Sequence, residues 1–218
     1  MSEGLLGAVE SILEATQKKF YGVTIGIVTD IDDTLGQGRV KVKLPSFNEN
    51  EETGWARIAQ PSAGSGYGFY FMPKVDEEVL VAFEHGDLDL PYIIGRLWNL
   101  REKPPELTPR LGKSHIRTDA GHDIIFDDLL QSIEVVTSTG HKLKMEPLKI
   151  ELSDKAGALK MTMNVSSQTI TLQSALTLEL KATNIKIQGT TVEINGAAKT
   201  DVKSGGVCTV QASLVKIN

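Results

Sequence analysis

The chain has 218 residues, a formal net charge of −5 and a hydrophobic share of 40%, a size that fits one large domain or two small ones. Its acidic balance argues against a nucleic-acid surface, which needs basic residues facing the phosphates, and no apolar run is long enough to span a bilayer as a helix. A single Cys, Cys208, excludes an internal disulfide framework and sits on an apolar stripe, as a buried small hydrophobe would.

Residues 4–20 read as a short amphipathic helix, with Leu5, Leu6, Val9, Ile12, Leu13 and Phe20 at helical spacing. A helix this short is marginal alone, so its apolar face is expected to dock on something. The start MSEGLLGAVESIL is acidic and lacks a basic leader, so the expectation is a protein made and folded in the cytoplasm. From Gly22 to Trp98 the pattern changes to strands: GVTIGIVT, GRVKVKL, WARIAQ, YGFYFM, EVLVAFE and YIIGRLW alternate or run apolar between turn-rich clusters. Gly36 and Gly38 flank a hairpin turn. Strands this short and close, without a substantial helix, predict a small closed barrel, OB-like or SH3-like. Pro104, Pro105 and Pro109 then mark a linker.

Past the linker a motif recurs: GHDIIFDD at Gly121–Asp128, GHKLKMEP at Gly140–Pro147 and, more loosely, AGALKMTM at Ala156–Met163. A tighter repeat follows, two apolar residues flanking a polar one. The pairs are Ile170/Leu172, Leu178/Leu180, Ile185/Ile187, Val192/Ile194, Thr200/Val202, Cys208/Val210 and Val215/Ile217. Residues two apart on a strand share a face, so each pair is an inward-facing unit of a short strand. All six Phe, both Trp and all four Tyr lie between Phe20 and Phe126, which predicts a narrow second half. Some ten to twelve strand layers would make a rod about 50–60 Å long. One chain would leave its strand edges unpaired, whereas three intertwined chains would close a prism around an axial core of Ile170, Leu172, Leu178, Leu180, Ile185, Ile187, Val192, Ile194, Val202 and Val210. The expected class is therefore all-β: a barrel over 21–100, a linker over 101–120 and an intertwined trimeric β-helix over 121–218, preceded by a short helix over 1–20.

Asp30-x-Asp32-x-Thr34 after an apolar strand resembles the first motif of the haloacid dehalogenase phosphatases, whose aspartates act beside Mg²⁺. That family needs a doubly wound α/β sheet, and here Gly36 and Gly38 turn the chain straight into GRVKVKL. Tyr67, Phe69, Tyr70 and Phe71 with Lys74 are the candidates for stacking nucleic-acid bases on a barrel groove. His85, His115, His122 and His141 fall at no metal-ligand spacing, and His122 and His141 occupy the same corner of a repeat. Gly64-Ser65-Gly66 reads as a flexible loop, and Glu49, Glu51 and Glu52 as a solvated one. No catalytic residue, cofactor or metal is expected.

GRVKVKLP at Gly38–Pro45 and GWARIAQPSAGSGYGFYFMPKVDEEVLVAFEHGDLDLPYIIGRLWN at Gly54–Asn99 resemble the OB-fold domain of the phage baseplate spike family. That family takes in baseplate assembly protein V and the spikes of type VI secretion and extracellular contractile injection systems; GHDIIFDD and GHKLKM resemble its opening β-helix repeats. The resemblance implies an OB barrel at the base of a trimeric needle that adapts a threefold hub to a pointed tip, punctures the target envelope and has no enzymatic activity. It implies assembly in the cytoplasm into a phage tail-like particle. A separate hub protein would be met through Leu5, Val9, Ile12 and Leu13, a PAAR-type tip protein would cover Val215, Ile217 and Asn218, and inner-tube or baseplate components would surround the base. The target membrane would be contacted only on firing.

Overall fold

Val28, Val40, Val42, Val79, Val81 and Ile93 project from alternating positions of four segments, and in the structure they converge on one point. The computed structural model describes residues 19–105 and 112–217. The first body is a six-stranded sheet in the order β3-β2-β1-β7-β8-β4. Its strands are β1 (Val23–Asp30), β2 (Lys41–Leu44), β3 (Asn48–Glu52), β4 (Arg57–Ile58), β7 (Glu78–Phe83) and β8 (Pro91–Arg96). A separate two-stranded hairpin joins β5 (Ala63–Gly64) to β6 (Tyr67–Gly68). Every pairing in the larger sheet is antiparallel except β4 with β8. Reciprocal backbone bonds between Val40 and Ala56, 3.0 and 2.8 Å, bring the approach to β4 back against the approach to β2 and curl the sheet on itself.

Val28, Val40, Val42, Ala56, Val79 and Val81 are fully buried inside that curl, with Leu44, Phe83 and Ile93 beside them. Gly26 has to be small: a Cβ there would stand 2.8 Å from a Val81 methyl and 3.2 Å from one of Val42. Phe20 caps one end, edge-on to Phe47 and Phe83 at centroid distances of 5.0 and 6.0 Å.

Several expectations need correction. Phe20 is not helical: its amide donates to the Gly86 carbonyl while Lys19 bridges Asp87. The rest of the expected helix, Leu5, Val9, Ile12 and Leu13 included, lies outside the described residues. The polar run at Asn48–Glu52, read as a loop, is an edge strand beside β2. Edge strands are commonly blunted by charged residues, so a strand there need not carry apolar alternation. Of YGFYFM only Tyr67–Gly68 pairs.

The second body is a seven-stranded meander in the order β15-β14-β13-β12-β11-β10-β9. It comprises β9 (Lys113–Arg117), β10 (Asp123–Asp127), β11 (Ser132–Val136), β12 (Lys142–Glu146), β13 (Lys149–Ser153), β14 (Lys160–Asn164) and β15 (Thr169–Gln173). It begins inside the span read as linker, because KSHIR has one apolar residue and no alternation to betray it. Two corners are built alike. Thr118 and Thr137 donate their amides to the carbonyls of His122 and His141, the Gly121 and Gly140 amides return to the threonine carbonyls, and each threonine hydroxyl accepts the histidine amide. Gly121 and Gly140 sit at φ 86° and 91°, which side chains resist. His122 and His141 are thus corner residues, as their place in the repeat predicts. The third corner is wider: Asp154 accepts the Leu159 amide at 2.8 Å, so Leu159 belongs to the turn and not to the strand that Met161 and Met163 share. Over 174–217 the described chain forms no strand, its apolar pairs lie exposed, and Cys208, expected to be buried, is exposed as well.

The acidic loop after β1 is held by Asp33, which the sequence reading did not single out. Its carboxylate takes both Arg39 Nε and Arg39 Nη2, at 3.0 and 2.8 Å, and accepts the amides of Leu35, Gln37 and Arg39. The side chain is 4% exposed. Asp30 lies 3.7 Å from Lys41 and accepts the Asp32 amide. The strand feeding this loop has antiparallel neighbours on both sides, so the parallel sheet that a dehalogenase-type phosphatase requires is missing and that reading falls. Arg39 beside Asp33 holds its carboxyl well below the usual carboxylate range. A carboxyl depressed in the folded state stabilises above its unfolded pKa, and the contribution fades as pH falls through the folded value. Asp33→Asn should therefore lower the urea midpoint of the barrel at pH 7, with the gap to wild type narrowing once acid begins to protonate Asp33; an unchanged midpoint at pH 7 would remove Asp33 as the loop's anchor.

Candidate assembly interface

Antiparallel register places directly opposed residues on one face of a sheet. Followed strand by strand, Ile116, Ile124, Val135, Leu143, Leu152, Met161 and Leu172 stand opposite one another in turn. Beside them runs a second column, Phe126, Ile133, Met145, Ile150, Met163 and Ile170. Neither column is interrupted by a charge. Apart from Leu143 all of these side chains are exposed, from 36% at Ile124 to 63% at Ile170.

The opposite face is ionic. Glu134, Lys144 and Glu151 oppose one another across β11, β12 and β13. Lys142 reaches Glu134 at 2.9 Å, Lys144 reaches Glu146 at 2.6 Å, and Glu151 lies 2.5 Å from Lys149 and 3.3 Å from Lys160. Lys149, reinforced by Lys160, holds the Glu151 carboxyl below its ordinary range, and Glu146 raises Lys144. Such surface pairs contribute about 0–1 kcal/mol each. Both faces are open in the single chain, and the glutamates of the ionic face, at 21% and 18% for Glu134 and Glu151, are less exposed than the apolar columns.

Of the residues expected on the axis, Ile170 and Leu172 are the last members of the two columns. Leu178, Leu180, Ile185, Ile187, Val192, Ile194, Val202 and Val210 follow in the strandless segment, all exposed. Val215 and Ile217 are exposed at 50% and 91%, and Asn218 lies outside the described residues. The sequence reading stopped short of Ile116, Val135, Ile150 and Leu152; counting alternation backwards from Ile170 across the Gly-containing corners would have found them. On the barrel, Trp55 of GWAR lies under Arg39 and Lys41, Ala56 is core, and Arg57 lies over Tyr92. Tyr67, Phe69, Tyr70 and Phe71 are exposed, but Lys74, the cation of the nucleic-acid reading, is 2.5 Å from Asp119 at the first shaft corner.

Residues 24–98 match the family described as the type VI secretion system/phage-baseplate injector OB domain. The chain is 38% identical over 97 residues to the "Actin cross-linking toxin VgrG1" of Vibrio cholerae, a match covering 42% of this chain and 9% of that protein. It is 34% identical over 109 residues to the "Type VI secretion system spike protein VgrG3" of Vibrio cholerae, covering 45% and 11%. With the "Type VI secretion system spike protein VgrG2a" of Pseudomonas aeruginosa it shares 28% over 114 residues, covering 48% and 14%. The matched parts thus span about a tenth of the curated relatives' own length. A curled, mainly antiparallel barrel with a buried valine core, followed by a meander of short strands, agrees with those matches: residues 24–98 form an OB domain of the type VI secretion system/phage-baseplate injector kind.

Proposed function

We propose that this chain is the central spike of a contractile injection particle, three copies joining their apolar faces into a prism that carries force from a baseplate to a tip. The observation that carries the reading is the pair of unbroken apolar columns, continued by inward pairs over 174–217 that find no strand partner in their own chain. The surface area points the same way. The chain exposes 17748 Å², against about 10,000 Å² for a compact monomer of its mass. Three walls meeting at an axis bury the columns, and neighbouring copies supply the edges that 174–217 lacks.

The relatives named as type VI spikes support this assignment. Within it, the barrel sits at the base, Leu5, Val9, Ile12 and Leu13 contact a separate hub protein, and Val215, Ile217 and Asn218 seat a PAAR-type tip protein. The work done is mechanical: an axial core of aliphatic residues and interchain backbone bonding resist buckling as the needle is driven through an envelope.

Light scattering on the purified protein should return three times the 23.7 kDa chain mass; a stable, monodisperse monomer overturns the reading. Ile187→Asp or Ile194→Asp would bring three carboxylates near one axis, where desolvation costs about several kcal/mol per ion. Each should abolish the soluble trimer, and a trimer of undiminished thermal midpoint would remove that residue from the axis.

A further inference from the structure

From Leu178 to Ile194 the apolar pairs are all aliphatic and recur every seven residues, so they alone do not decide which segment of one copy lies beside which segment of another. A slipped register would bury them just as well. On a strand the residues between the pairs would point to the opposite, outward side: Glu179, Lys186, Glu193, Asp201, Thr209 and Lys216. Glu179 is neutralised within its own segment by Lys181 at 2.6 Å. Asp201 is held between Lys199 and Lys203, at 2.7 and 3.3 Å, which leaves its segment net positive. Among the described residues, Lys186 and Glu193 have no ion-pair partner in their own chain. The segments from Ile185 to Lys203 therefore read positive, negative, positive.

Two arrangements of three copies treat this pattern differently. With the same segment of each copy side by side, Lys186 would face Lys186 and Glu193 would face Glu193. With the chains wound about one axis, threefold symmetry sets each segment beside the next segment of the neighbouring copy. Lys186 then has Glu179 on one side and Glu193 on the other, and Glu193 has the Lys199 and Lys203 segment beyond it. Opposite charges directly across neighbouring strands attract and like charges repel.

We propose that Glu179, Lys186 and Glu193 form an outward ionic ladder between copies of this chain, and that this ladder sets the register in which the copies wind. The proposal rests on the trimeric reading above and adds what selects one winding among those that the apolar pairs permit.

The test leaves the ladder intact and reports register beside it. Thr177 and Asn184 stand two residues before Glu179 and Lys186 and share their outward side, so the wound register opposes them. Neighbouring strands lie about 4.8 Å apart, within the Cα range of a disulfide. In the full chain carrying Cys208→Ala, Thr177→Cys and Asn184→Cys together should oxidise to a covalent trimer on a denaturing gel, while either single variant stays uncrosslinked. Adding Lys186→Glu should reduce the covalent trimer several-fold, adding Lys186→Gln should reduce it less, and about 1 M salt should close the difference. Crosslinked dimers from a single variant, or a double variant that is trimeric by light scattering yet forms no interchain bond, overturn the ladder and leave the trimer standing. Equal loss with Lys186→Glu and Lys186→Gln also overturns it. A monomeric starting protein overturns both readings.

Discussion

An apolar sheet face up to two residues wide and seven strands long, uncovered among the described residues, is the constraint on which the rest depends. A sheet with one apolar face has to bury it against another layer, and among the described residues the barrel is already spent on its own core. The barrel closes on its own valines and turns its core inward. The opposite side of the meander is occupied by ion pairs of Lys142, Lys144, Lys149 and Lys160 with their glutamates. What remains is Ile116 to Leu172 and Phe126 to Ile170, facing solvent in the isolated chain.

The two halves thus bury apolar surface in opposite ways. In the barrel, Val28, Val42, Val79 and Val81 meet one another across a curl, and a glycine at position 26 admits the tight approach. In the shaft, the equivalent residues of successive strands line up side by side and never face each other across a gap. The barrel is a finished unit, and its loops are tied down locally, as Asp33 does with Arg39. On the proposed reading the meander is one wall of a larger prism, and the other walls are further copies of the same chain.

Much of this was legible in the residues because both halves rely on period-two alternation. EVLVAFE and GRVKVKL announced barrel strands, and GHDIIFDD with GHKLKM announced the corners. What escaped lay where alternation is absent or misleading. Asn48–Glu52 is a polar edge strand without apolar alternation, and KSHIR contributes one apolar residue to the start of the meander. YGFYFM looks like a strand by composition, yet its aromatics are exposed around a short hairpin. The Asp30-x-Asp32 motif drew attention to two aspartates, while the structural work of that loop falls to Asp33, whose importance comes from amides and a guanidinium that only the folded turn assembles. The apolar pairs of 174–217 were readable as a pattern, and they are exposed in the single chain, so their place on an axis belongs to the proposed reading.

The meander also divides the folding problem in time. Each of its strands pairs with the next strand in sequence, across corners of a few residues. Loops that short close rapidly and at little entropic cost, so the wall can order as a first-order event within each molecule. The segment beyond Gln173 has no such local option, and on the proposed reading its ordering waits on encounters between molecules and speeds up with concentration. A nascent chain emerging from the ribosome would then present a folded barrel and wall before its last residues have anything to hold.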